Sequence, residues 1–128
     1  MDADAPRRLA SLSRWSIERI GSIFEAPSDD DSLKAIEATF APDVKATMNG
    51  TKIKLEHIKD QVLNLRRPSK RGLKVIWKSL VEVPSDPSNR EGWVGGSYVI
   101  EGVTKPSPEY PDGVEFVRSK VVTVKWEV

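Results

Sequence analysis

Few side chains in this chain have the chemistry to move a proton or hold a developing charge, and their neighbours rank them. His57 is the one histidine, and so the one imidazole suited to act as a base near neutral pH. On the helix-like run 55–67 it lies about 120° from the centre of the stripe Leu55, Ile58, Val62 and Leu65, so it is expected on the solvent side. Asp43 follows Pro42 at a helix-to-strand junction. A carboxylate there braces the turn, or points inward, where burial beside Trp or Phe raises its pKa towards that of a general base. Arg118 and Lys120 share strand parity with Phe116, Val122, Val124 and Trp126. Buried cations need a partner. Glu101 is one candidate, solvent at a strand end is the alternative, and in the chemical reading one of the two orients a carboxylate or enolate oxygen of a ligand. Tyr98, if inward, adds a hydroxyl able to polarise a carbonyl.

Other clusters have plainer readings. Asp29-Asp30-Asp31 suits the positive end of a helix better than a metal ion, because successive side chains diverge. Arg66-Arg67-Pro68-Ser69-Lys70-Arg71 is the one dense basic stretch, but it has no adjacent aromatics and the net charge is only +1. Nucleic acid is therefore not expected as a partner. The sequence has no cysteine, which removes disulfides and thiolate chemistry. It also lacks a phosphate-cradling glycine loop, a nucleophile elbow and a zinc-binding helix motif. No metal or cofactor is expected.

The elements that must position these residues follow from hydropathy. With 128 residues, 38% of them hydrophobic and 30% charged, the chain has the length and balance of one globular domain. No apolar run approaches the roughly 20 residues that span a bilayer. The acidic start Met1-Asp2-Ala3-Asp4 does not read as a signal peptide, so a cytoplasmic location without membrane attachment is expected. Residues 1–8 read as a flexible tail. A first helix is expected over 8–25, its stripe carrying Leu9, Leu12, Ser16, Ile20, Ile23 and Phe24, and Pro27 ends it. A second follows the three aspartates, with Leu33, Ile36 and Phe40 buried. A strand over 44–48, the Asn49-Gly50 hairpin turn and a return arm at 51–53 lead into the third helix.

Three strands close the sequence, at 73–83, 91–104 and 114–128. In the first, Val75, Trp77, Ser79, Val81 and Val83 are assigned to one side, leaving Ile76 and Leu80 on the other. Gly95-Gly96 invites a bulge in the second, which would let Trp93 and Tyr98 both face inward. Helices first and a meandering sheet afterwards predict an α+β fold, a curved antiparallel sheet wrapped around three N-terminal helices.

Phe40-Ala41-Pro42-Asp43-Val44, the Asn49-Gly50 turn with Ile58 beyond it, and the strand running to Tyr98-Val99-Ile100-Glu101-Gly102 resemble the nuclear transport factor 2-like superfamily, including its SnoaL-like polyketide cyclase branch. The resemblance implies a cone with an apolar pocket at its open end and frequent dimerisation through the outer sheet face. The family usually has one more strand after the last one here. Its enzymes often use a His, Asp or Tyr on the inner face, and no histidine lies on these strands. The resulting expectation is a hydrophobic carbonyl ligand walled by Trp77, Trp93, Phe116 and Trp126, with Asp43, Tyr98 and Arg118 handling the proton or oxyanion. The alternative is a non-catalytic homodimeric module using outward Ile76, Leu80, Val117 and Val121.

Overall fold

The computed structural model describes residues 11–85 and 91–127; the expected tail and Leu9 lie outside them. Helix α1 spans Leu12–Phe24, opened by the Ser11 hydroxyl, which accepts from the Arg14 amide at 3.1 Å. Its buried face, Leu12, Ser16, Ile20, Ile23 and Phe24, keeps the 3.6-residue spacing of the sequence stripe. Helix α2 spans Asp29–Thr39. Ser28 is its N-cap, so the three aspartates form the first turn rather than preceding the helix. Short strands β1 (Ala46–Met48) and β2 (Thr51–Ile53) pair antiparallel across Asn49 and Gly50, both at positive φ as this turn demands. Helix α3 spans Leu55–Arg66.

Strands β3 (Lys74–Pro84), β4 (Glu91–Lys105) and β5 (Val114–Glu127) form an open antiparallel sheet in the order β3-β4-β5. The fold is thus α+β, three helices with two antiparallel sheets. One core joins them: Ile23 and Phe24 of α1, Ile36 of α2, Val62 and Leu65 of α3, and Tyr98, Ile100 and Val103 of β4. A smaller cluster of Leu12, Val94 and Trp126 adjoins it through Phe40, which packs against both. The sheet face carrying Tyr98, Ile100, Val94 and Trp126 therefore meets the helices and is called the inner face below.

Two bulges decide which side chains share that face. The β3–β4 register slips between Trp77 and Ser79, leaving Lys78 as the extra residue. Val75 and Trp77 consequently share the inner face with Leu80 and Glu82, while Ser79, Val81 and Val83 turn outward. This overturns the single-parity reading of that strand, and with it the outward assignment of Leu80, which packs against the Leu12 cluster. The second slip lies between Ile100 and Val103. Neither ladder slips at Gly95-Gly96, so Trp93 and Tyr98, five residues apart, face opposite sides. Trp93 is 49% exposed on the outer face, contrary to its expected place in an interior wall.

Glu82, an acid on the inner face, accepts from the Leu12 amide at 2.9 Å and so satisfies an orphan N–H at the start of α1. Among the described residues no helix is long and apolar enough to cross a membrane.

Candidate functional site

Tyr98 sits at the centre of the inner face and is 3% exposed. Its ring lies 4.8 Å from that of Trp77 and 6.3 Å from that of Phe24. Burial alone pushes its phenol from 10.0 up to about 12, so the hydroxyl stays protonated at neutral pH. Among the described residues that hydroxyl has no hydrogen-bond partner, but it is not sealed: the ring is buried while the oxygen keeps contact with solvent.

The β4–β5 register sets Lys120 directly across from Tyr98, and Arg118 across from Ile100. Directly opposed side chains have Cβ atoms about 5 Å apart, and diagonal ones about 7–8 Å. Both cations are half-buried on the inner face. Lys120 places its Nζ 5.6 Å from the centre of the Phe24 ring. Burial first, and the charge of Arg118 second, hold its ammonium below the usual lysine range. Neither cation has a carboxylate within ion-pair distance among the described residues. Glu101, the partner considered from sequence, lies in the second bulge, where its charge reaches Arg71. Phe116 continues the row one pair beyond Arg118, across from Val103, and is 45% exposed. Tyr98, Lys120, Arg118 and Phe116 thus run as one inner-face strip from a buried aromatic ring to an open one.

The remaining expected residues fall elsewhere. Asp43 is exposed in the turn closed by the Val44 amide on the Ala41 carbonyl at 3.0 Å and does not join the strip. Trp126 is buried in the smaller cluster, stacked on Phe40 at 6.0 Å. Its indole donates to the Ser16 hydroxyl at 2.6 Å, and Ser16 donates in turn to the Leu12 carbonyl at 2.8 Å. His57 is exposed, and its Nδ1 accepts from the Lys54 amide at 2.9 Å, capping α3. Arg66 and Arg67 both approach Asp29, and Arg71 pairs with Glu115, so the basic stretch is largely spent on internal ion pairs.

Trp77 also walls a cleft of about 590 Å³ between α1, the α1–α2 connection, α2 and β3, which sequence reasoning missed. Val75, Ala35 and Ile17 give it apolar walls, and Glu18, Glu25 and Asp31 bring carboxylates. Two of those acids are engaged. Glu18 pairs with Arg14 at 3.5 Å, and Glu25 accepts from the Val75 amide on the free edge of β3 at 2.9 Å. Among the described residues the buried Trp77 indole N–H has no partner. The cleft is assembled from three separate elements with no shared motif, so no sequence signal marks it. Among the described residues no group of three or more His, Asp or Glu is placed to hold a metal ion.

No family model matches the chain, no curated protein matches it, and no solved structure matches it.

Proposed function

We propose that the chain is a small-molecule-binding domain of nuclear transport factor 2-like, SnoaL-like type, its sheet curving as a cone around the helices and its ligand a hydrophobic carbonyl compound. The observation that carries this reading is Tyr98, a buried ring whose hydroxyl has no protein partner among the described residues, opposite Lys120 and diagonal to Arg118. A carbonyl oxygen accepting from that hydroxyl would replace water there, a hydrogen bond worth about 0.5–1.5 kcal/mol. Arg118 meets charge that develops on the same oxygen or its neighbour, and Phe116 supplies an apolar surface for the ligand body. Isomerisation, cyclisation and dehydration all need such polarisation and none needs a redox cofactor.

The test is native mass spectrometry on the chain purified from its own host, alongside Tyr98→Phe and Arg118→Gln. A bound small molecule retained by the wild type and lost from Arg118→Gln supports the reading. Equal retention by all three, or none in any, rejects it.

The outer sheet face favours a second reading, a homodimer, which does not exclude the first. Val81, Val83, Trp93, Val117 and Val121 are large apolar residues exposed there, Val121 to 87%. Around them lie Ser79, Ser97 and Thr123, with the two serine hydroxyls 2.8 Å apart, and Lys125 stands directly across from Trp93 at one end. A cluster of exposed apolar residues on one sheet face is the kind of surface a second copy covers. Size-exclusion with light scattering would show a dimer that Trp93→Lys/Val121→Lys converts to monomer. A wild type that stays monomeric at high concentration removes this reading.

A further inference from the structure

We propose that Lys120 is a nucleophilic amine that condenses with the carbonyl ligand to form an imine. This rests on the inner-face reading above and assigns a covalent role to a residue that reading uses only as a neighbour of Tyr98. Structural lysines on a sheet either pair with a carboxylate or reach water. Lys120 does neither fully: it is half-buried, faces the Phe24 ring, has Arg118 two residues away on the same face, and has no acid within ion-pair distance among the described residues. An amine desolvated by aromatic walls beside a second cation is the setting in which a lysine is uncharged often enough to attack a carbonyl. The direction of its pKa agrees.

The step balances with the groups present. The amine lone pair attacks the carbonyl carbon, a C–N bond forms, and the C=O π pair moves to oxygen, which takes a proton. Loss of a nitrogen proton gives the carbinolamine. Its C–O bond then breaks, the hydroxyl leaves as water after a second protonation, and nitrogen donates its lone pair to make the iminium. Tyr98, opposite in the register, is the group able to give and retake the proton at that oxygen. The net change is amine plus carbonyl plus one proton to iminium plus water, and loss of that proton from nitrogen leaves the neutral imine. The iminium draws electrons from the adjoining carbon, which is the activation that isomerisation and dehydration need. Arg118, two register pairs along on the same face, suits a carboxylate beside the carbonyl. The ligand class is therefore a 2-oxo acid with an apolar tail, its tail against Phe116.

The test uses phenylpyruvate as probe and sodium cyanoborohydride to reduce any imine, with the site of label read by peptide mass spectrometry. The expected result is one reduced adduct concentrated on Lys120, with exposed lysines such as Lys52 and Lys78 at background. Lys120→Arg, which keeps the charge, should lose that adduct, and Tyr98→Phe should label more slowly. Ligand-observed NMR without reductant reports binding separately. Bound phenylpyruvate with label spread evenly over surface lysines overturns the imine and leaves the site reading standing. No binding and no Lys120 adduct overturns both.

Discussion

Tyr98 and Lys120 lie opposite one another, and burial acts on them in opposite senses. Burial raises the Tyr98 pKa because it penalises phenolate. The folded state then binds the proton more tightly than the unfolded chain. The resulting stability is fully present below pH 10 and is lost as pH rises through about 12. Two units correspond to at most roughly 3 kcal/mol. Lys120 has the reverse sign: its folded pKa is lowered, so its cost at neutral pH is relieved as pH climbs towards the unfolded lysine value of about 10.4. Urea titrations of wild type and Tyr98→Phe from pH 8 to 12 check this, and the wild type should lose more stability above pH 10. Parallel profiles would show that the phenol ionises freely. At this scale sequence was informative about buried polarity. Ser16 stood out as a serine on an apolar stripe, and it accepts from the Trp126 indole. The lack of a carboxylate for Arg118 and Lys120 among the described residues was not legible, because Glu101 had the right strand and was displaced by a bulge.

That bulge also shows what elements add to residues. Gly102 adopts φ 86, and a Cβ there would run into the Gly72 carbonyl oxygen. Gly102→Ala should cost at least about 1–3 kcal/mol from dihedral strain alone, before the clash is counted, as measured by chemical denaturation. A variant of unchanged stability would mean the bulge relaxes freely. Helix positions, the Asn49-Gly50 turn and the three strands were legible because apolar periodicity and turn chemistry are local. Bulge positions were not. Lys78 fits an alternating pattern as well inside the ladder as outside it, so the slip beside it left Val81 and Val83 assigned to the wrong side. The glycine pair that suggested a bulge has a packing role instead, since a Cβ on Gly96 would come within 2.5 Å of the Ser79 carbonyl and 3.3 Å of the Trp77 ring. All four residues of the inner-face strip, Tyr98, Lys120, Arg118 and Phe116, were named from sequence, whereas Trp93 and Asp43, expected beside them, are elsewhere.

Across the whole molecule, Arg66 ties elements that hydropathy cannot relate. From the last turn of α3 it donates to the Phe24 carbonyl at 2.9 Å and to Asp29 at 3.1 Å, joining the end of α1 to the start of α2. Arg66→Met keeps much of the stem but leaves that carbonyl unmatched and the carboxylate to Arg67 alone. The expected loss is about 1–3 kcal/mol, with reduced amide-exchange protection near Phe24 and Asp29 in hydrogen exchange. Wild-type stability and protection would show that the clasp is incidental. The four indoles are also distributed unequally: Trp93 is half in water, Trp126 is sealed and hydrogen-bonded, and Trp15 and Trp77 are intermediate. The chain thereby carries a built-in optical gauge. A collisional quencher such as acrylamide should dim the red-shifted share of the emission first, and any molecule settling over the sheet's far side should shield that share while leaving the blue component unchanged.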